Sequence, residues 1–600
     1  MLTTNPKESQ LKDLNGSIGA RAPQRRSGTG NPTSTKDRLN EQSILTGKIS
    51  AVVFQKIRFA SMIARKSLSR FKVNVPNVAF VVLSLLFLWR ISVVLTPDSY
   101  YTTFSSDSAF PMLISNQDRP ITLFDSYSYS RDRWGSFPFL LARLVHKWTG
   151  YYWSVRAMHL YRTFWFFGGL LIMSSLAVRA RLLVLVSALI AVCIPNFTRI
   201  IMFDLSELYA WQIPGLFLSW YCMRQLFAPD LGESGDRPVM VKRVLWSFAL
   251  FEVSFITTWT SLASGPLLLF LLLVETFRAI LTGSGKPTST WPRARYMLAA
   301  VLVMLGILAE KLLRIGYHRY CLKRYGNVNR TQIVLDFGHL SQNLRGQLDT
   351  FLSFSWWPII ILPLLLVITL TITFIYLWRR EGVSMLRNVT ATSTEDVFVL
   401  VIGMSGIAVI NFGMTVLIQH VRLNLYENRF LTLSFSLGVI SGLLTLFLVF
   451  RHFVERTPAK RYAVTAFTVA VLFFLVVKFP ARRINPDYQT DNEAALALAE
   501  KMPGAILMGG YWGTYILAPL QGTRAMVPLP IEGQEVRMPW TPAMLAEAKQ
   551  VVVEYRFSNL AKGGGAPVVL KQYNATLRLV NPNWYANERY SFALYENENK

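Results

Sequence analysis

The apolar residues of this chain come in long bunches. Segments such as NVAFVVLSLLFLWRISVVL, SGPLLLFLLLVETFRAIL and LAAVLVMLGILAEKLL recur from residue 76 to residue 480. Each approaches the ~20 residues that cross the hydrocarbon core of a bilayer. In lipid every backbone N–H and C=O must be satisfied within the segment, so such stretches fold as helices. The composition agrees: 52% of the 600 residues are hydrophobic and 16% are charged, where a soluble domain carries about a quarter charged. The expected fold is mainly α, a polytopic membrane protein of about eleven transmembrane helices.

The spans read as about 76–95, 159–178, 182–202, 207–226, 244–261, 263–281, 296–315, 356–378, 397–419, 430–451 and 462–480. Alternate connections are rich in Lys and Arg: RAR at 179–181, the loop from Arg224 to Arg243, that from Arg278 to Arg295, RREGVSMLR and RHFVERTPAKR. The positive-inside bias makes these connections cytoplasmic. The same rule accounts for much of the net charge of +27, so the basicity does not imply nucleic acid. Residues 1–50 are polar and basic and should form a disordered cytoplasmic tail. Val53–Val73 alternates apolar and basic residues at helical spacing and reads as an amphipathic helix, within 51–75, on the cytoplasmic surface, or else as a basic cytoplasmic extension of the first span.

An odd number of spans then puts residues 481–600 outside. That tail reads as a small α/β domain, with helices at NEAALALAEKM and TPAMLAEAK and strands at AILMGG and QVVVEYR. Two long outside segments remain within the 76–480 membrane domain: 96–158 after the first span and 316–355 after the seventh. The first contains FSSDSAFPMLISNQ, with the lone acid Asp107, and the leucine-rich stretch SFPFLLARLVHKW, which suits a helix lying in the interface.

Several weaker signals fall away. GSGKPT lacks the glycine spacing and the preceding strand of a phosphate loop. Cys193, Cys222 and Cys321 have no metal-ligand spacing. Asn329 and Asn574 open glycosylation sequons, which matter only if the outside is an ER lumen. Glu252, mid-span, is either functional or a glutamate bonded to a neighbouring helix.

SDSAFPMLIS just after the first span, then the Gly-bearing aromatic segment SRDRWGSFPFLLARL, resembles the GT-C superfamily of integral-membrane glycosyltransferases. The closest resemblance is to bacterial members that use polyprenyl-phosphate sugars. The short acidic loop FDLSE, the arginine of YENRF before a late span and the outside C-terminal domain are similar to that architecture. One departure is Ser108, where many relatives carry a second acid; it speaks against a bound metal. The resemblance implies transfer of a sugar from a polyprenyl-phosphate donor to an extracytoplasmic acceptor hydroxyl on a glycan, lipid or protein, usually with inversion. It makes Asp107 the candidate general base, with Asp132, Asp204 and Glu207 orienting it, binding sugar hydroxyls or simply capping helices. For the donor phosphate the candidates are Arg319, Lys323, Arg324 and Arg330, which defy the positive-inside bias, together with His420, Arg422 and Arg429. No cofactor is expected, and a bacterial inner membrane is the expected location. Two competing classes are a ligase or polymerase of O-antigen type, which keeps its main outside loop late in the chain, and a lipid-linked glycan transporter or flippase, which would show inverted repeats.

Overall fold

The structure, a computed structural model, describes residues 112–116, 137–177, 181–193, 209–227, 237–260, 264–281, 291–325, 334–368, 395–454 and 486–600, with short interruptions, and a few positions between 81 and 88. All belong to one compact unit, Val75–Lys600. The expected basic tail and amphipathic helix fall outside the described residues, as does the eleventh span.

Among the described residues the main helices ahead of the C-terminal domain are α1 Phe137–Thr149, α2 Val155–Leu176, α3 Arg181–Cys193, α4 Tyr209–Phe227, α5 Arg237–Thr260, α6 Ser264–Leu281, α7 Trp291–Tyr325, α8 Leu340–Ser353, α9 Glu395–Leu417 and α10 Thr432–Val454. Packing closes six of them into a ring, α2–α4–α6–α9–α10–α3 and back to α2, while α5 lies on α4 and α7 on α5. Small residues set these crossings. A Cβ on Gly306 of α7 would stand 3.0 Å from the Phe251 carbonyl of α5, and one on Gly403 of α9 would collide with the Trp220 ring of α4. Close backbone approach of this kind replaces the hydrophobic drive that helices lack in lipid.

The outer face of α7 shows the solvent it was built for. Met297, Val301, Met304, Leu305, Leu308, Leu312 and Ile315 are each 45–68% exposed. They recur every three or four positions and so form one stripe. An unbroken aliphatic stripe of this length is stable against lipid and not against water; the chain is a helical membrane protein. By length and hydropathy, two described helices can cross a bilayer alone, Ala294–Arg324 and Asp396–Leu417. A third candidate is the pair Phe337–Ser353 and Trp357–Leu365, bent by 111°. The described residues therefore do not by themselves reach eleven spans.

One expected boundary moves. The seventh span was expected to end near residue 315, with GYHRYCLKRYGNVNR as a loop; instead α7 continues unbroken to Tyr325. Leu, Arg, Lys and Tyr all sustain a helix in water, so leaving the apolar region does not end it. The outside segment 316–355 also contains α8.

The C-terminal domain opens with α11 Pro486–Lys501 and builds a six-stranded sheet from β1 Ile506–Gly509, β2 Val527–Pro530, β3 Gln550–Glu554, β4 Val569–Gln572, β5 Ala575–Ala586 and β6 Ser591–Asn597. Helices α12 Tyr511–Leu517 and α13 Thr541–Glu547 make the crossovers. The order is β2-β1-β3-β6-β5-β4. The β1–β2 and β1–β3 pairs are parallel, and the remaining pairs are antiparallel. Parallel strands need helical crossovers, so the α/β half follows from the helix–strand alternation in the sequence.

This domain does not hang free. Leu113, Ile114 and Phe139 are buried in one cluster with Ala494, Leu498, Tyr515, Met538 and Trp540. Met112, Ala142, Trp153 and Met158 form an adjoining cluster against Tyr488 and Leu520. Asn116 locks the arrangement: its amide donates to the Trp153 carbonyl at 2.9 Å and its Oδ1 accepts from the Trp153 N–H at 2.7 Å.

Candidate functional site at the domain end of the bundle

Two polar clusters mark opposite ends of the bundle. At one end Glu275 of α6 is fully buried. It accepts from Trp220 Nε1 at 2.9 Å and pairs with Arg224 at 3.4 Å and Arg278 at 2.5 Å. Arg224 also donates to the Leu176 carbonyl and meets Asp396 at 3.4 Å. The C-terminal ends of α2, α4 and α6 thus share an end with the start of α9. Every Lys/Arg-rich connection that adjoins these helices leaves from this end.

The other end carries the C-terminal domain. Here Gln212 donates to Ser264 Oγ at 3.1 Å, joining the starts of α4 and α6. Trp259 of α5 packs with Tyr317 and Cys321 of α7, under Leu140 of α1.

A third group of contacts belongs to this end, and sequence reasoning missed it. The segment ahead of α8 pairs with the end of α9: the Asp336 N–H donates to the Leu417 carbonyl at 2.9 Å and the Gln419 N–H to the Val334 carbonyl at 3.0 Å. Asp336, 8% exposed, then gathers His339, Arg422 and Asn343 around its carboxyl. Its Oδ1 lies 2.6 Å from His339 Nδ1, and its Oδ2 accepts from Arg422 Nε at 2.7 Å. The bond from His339, followed by the bond and charge of Arg422, holds the Asp336 carboxyl down to about 2, against the opposing effect of burial. A carboxylate bonded through one oxygen to an imidazole fixes that ring and leaves its other nitrogen outward; the His339 side chain is 50% exposed. The signal available in the sequence was an acid and a histidine three residues apart, DFGH, directly before a run with polar residues on helical spacing.

The expected site residues fare unequally. Asp107, Asp132, Asp204, Glu207 and Arg330 lie outside the described residues. His420 and Arg429 sit in short helical turns, Gln419–Leu423 and Asn428–Leu431, and only their backbone is described. Arg422 is joined to Asp336 rather than standing alone, with 22% of its side chain exposed. Arg319, Lys323 and Arg324 are exposed on the last two turns of α7. Arg324 lies 5.6 Å from the Tyr320 ring centre and donates to the Tyr320 hydroxyl at 2.8 Å. Lys and Arg in a last helical turn also suit the negative end of the helix dipole.

Of the intramembrane acids, Glu252 is only half buried, whereas Glu275 and Glu310 are fully buried. Glu310 accepts from Arg314 Nε at 2.8 Å one turn along α7. Among the described residues no group of three or more His, Cys, Asp or Glu has the geometry to hold a metal ion.

No protein-family model matches the chain, and no curated protein matches it. Among solved structures it is similar to ArnT from Cupriavidus metallidurans bound to undecaprenyl phosphate, at 12% identity over 87% of this chain and 98% of that chain, with a TM-score of 0.43. It is also similar to the Archaeoglobus fulgidus oligosaccharyltransferase in complex with Zn and sulfate, at 11% identity, 79% and 68% coverage and a TM-score of 0.39. A third likeness is to the oligosaccharyltransferase AglB of the same organism with an inhibitory peptide and a dolichol-phosphate, at 11% identity, 81% and 70% coverage and a TM-score of 0.37. At these scores the likenesses carry no functional weight, and the reading below rests on residues of this chain.

Proposed function

We propose that the chain is a GT-C-type membrane glycosyltransferase, moving a sugar with inversion from a polyprenyl-phosphate donor to an acceptor hydroxyl outside the cytoplasm. Eleven spans, a cytoplasmic N-terminus and a periplasmic domain from residue 481, in a bacterial inner membrane, complete the reading.

The observation that supports it most is a convergence at the domain end. The Met112–Asn116 turn, five residues downstream of Asp107 in the sequence, is wedged between α1 and the C-terminal domain. The same end of the bundle carries the exposed cations of α7 and the Asp336–Arg422 pair. A lipid phosphate at the membrane surface and an acceptor held by an outside domain would meet there.

In the proposed reaction Asp107 takes the proton of the acceptor hydroxyl, and the acceptor oxygen bonds to the anomeric carbon. The bond from that carbon to the phosphate oxygen breaks, and the lipid phosphate leaves with the electron pair. A carboxylate suits the first task. Arg319, Lys323, Arg324 and Arg330, with His420, Arg422 and Arg429, supply positive charge for the second. Asp132, Asp204 and Glu207 serve to orient the base or hold sugar hydroxyls. Cytoplasmic connections contain neither an Asp-x-Asp pair nor a Gly-rich phosphate cradle, which favours a lipid-linked donor over a nucleotide sugar.

The test is a proteoliposome assay with cell-envelope extract as acceptor, offering polyprenyl-phosphate sugars and nucleotide sugars separately. Release of free polyprenyl phosphate with sugar incorporation is the expected result. Incorporation from nucleotide sugars alone would overturn the reading.

A further inference from the structure

Helix α8 has three faces. Phe351 turns inward, its ring 5.9 Å from Phe412 and 5.8 Å from Phe435. Asn343 and Gln347 are buried on the same side. A second face carries Leu340, Leu344, Leu348 and Leu352, each 40–49% exposed. At about 100° per residue these four sweep an arc of about 120°, which meets the inward face at Leu340 and Phe351 and turns away from it through Leu344, Leu348 and Leu352. The remaining arc is polar and exposed, with Gln342, Arg345 and Asp349.

A soluble helix would pair its leucine row with protein. This row is open, and it does not stand alone. Val334, Leu335 and Phe337 ahead of it and Leu364, Leu365 and Ile368 beyond it are also exposed, 38–65% each. The exposed apolar surface therefore runs from the α8 approach into the helix Trp357–Leu365. That helix leaves α8 at 111°, so when it runs along the membrane normal α8 lies within about 20° of the membrane plane. Its inward face is pinned meanwhile. The Asp336–Arg422 and Asp336–His339 bonds and the backbone pairing to α9 fix its start. Phe351 fixes its end.

We infer that α8 is a membrane-surface helix, whose leucine row is seated in the lipid of the leaflet at the domain end. Lipid fits this face for three reasons. The leucine row itself is aliphatic and holds no aromatic anchor of the kind that dominates protein interfaces, with Phe337 lying ahead of it. It is continuous with exposed apolar surface on a helix entering the bundle. Its polar neighbours Arg345 and Asp349 point along an adjacent arc, the division an interfacial helix requires. The inference does not depend on sugar transfer.

The experiment places single nitroxide labels at Leu344→Cys, Leu348→Cys and Gln342→Cys, in full-length protein whose Cys193, Cys222 and Cys321 are replaced by alanine, reconstituted in nanodiscs. These are exposed positions, so the variants retain the fold, and circular dichroism confirms it. Collision with oxygen, which concentrates in lipid, is compared with collision with a water-soluble nickel chelate. The oxygen-to-nickel ratio should be several-fold higher at 344 and 348 than at 342. Equal ratios at all three positions would overturn the inference by showing a water-facing row. Labels at 344 and 348 shielded from both reagents would overturn it too, since protein would then cover the face. Dilution with unlabelled chain would tell a second copy from the chain's own domain.

Discussion

The two ends of the bundle hold similar charges in different settings. At the far end the Glu275 carboxylate is sealed among Trp220, Arg224 and Arg278, and Arg224 also reaches α2 and α9. At the domain end the Asp336 carboxylate is also buried, but its partners His339 and Arg422 reach solvent, with 50% and 22% of their side chains exposed. A sealed cluster ties helices together. A cluster with an exposed imidazole keeps one partner open to solvent. The difference lies in the imidazole, since Arg224 and Arg278 show 12% and 17% of their side chains against 22% for Arg422 and 50% for His339; the number of ion pairs alone says little about role.

Removing Glu275 should break the tie hardest. Glu275→Ala leaves Arg224 and Arg278 without their carboxylate in a buried setting, a change that costs ~3–5 kcal/mol. Thermal unfolding in detergent should show the loss, with reduced yield of folded protein. Wild-type stability in that variant would show that the far end is not a tie.

Asp336→Asn should cost less stability, on the order of 1–3 kcal/mol for a lost charged hydrogen bond, because both partners can turn to water. Its larger effect should be on the α8 segment. Hydrogen exchange of 336–353 should quicken while exchange in α9 changes little. The pH dependence has a definite sign. Because the folded carboxyl is held to about 2, below its ordinary value of 3.8, the clasp is fully present above the ordinary value. It is lost only as pH falls through about 2. The loosening that follows protonation of Asp336 should therefore appear in the exchange of 336–353, corrected for its intrinsic pH dependence, only below the ordinary carboxylate value of 3.8. Its onset above that value in the Asp336-dependent part, taken as the difference between wild type and Asp336→Asn, would contradict the pairing.

In the C-terminal domain, Tyr590 donates to the buried Asp491 at 2.8 Å. Burial raises the Asp491 carboxyl above its ordinary range, and the bond from Tyr590 opposes the rise. Tyr590→Phe should destabilise by roughly 1–2 kcal/mol. The stabilising effect of protonating Asp491 should then persist to higher pH in the variant than in the wild type, which melting curves across acidic pH would show.

The smallest stability effect belongs to the exposed cations. Replacing Arg319, Lys323 and Arg324 by glutamine should change stability by less than about 0.5 kcal/mol each. It should nevertheless weaken retention of a polyprenyl phosphate in detergent micelles. Unchanged retention would remove these three from the donor site.

The helices were legible because their cause is local. An apolar run of membrane length has one backbone solution, and Val155–Leu176, Tyr209–Phe227 and Ser264–Leu281 fall within a few residues of where hydropathy puts them. The α/β half of the domain was legible for the same reason. What escaped was non-local. The junction between the two halves of the sheet, β3 with β6, depends on pairing such as Val551 with Tyr595, across more than forty residues. The Asp336–Arg422 pair spans a still longer stretch of chain, and no spacing rule announces it. Glu275 escaped for the same reason, since the burial of an acid against other helices is not visible in the sequence.

The central claim is base-assisted transfer from a lipid phosphate, and Asp107→Asn tests it most directly. The substitution keeps the shape and removes most of the basicity. With the variant reconstituted beside the wild type, release of polyprenyl phosphate from a polyprenyl-phosphate sugar is followed under single-turnover conditions. The account predicts a rate lower by about 10²–10⁴, with unchanged donor binding and an unchanged melting temperature. A near wild-type rate would contradict it and pass the role of base to another group.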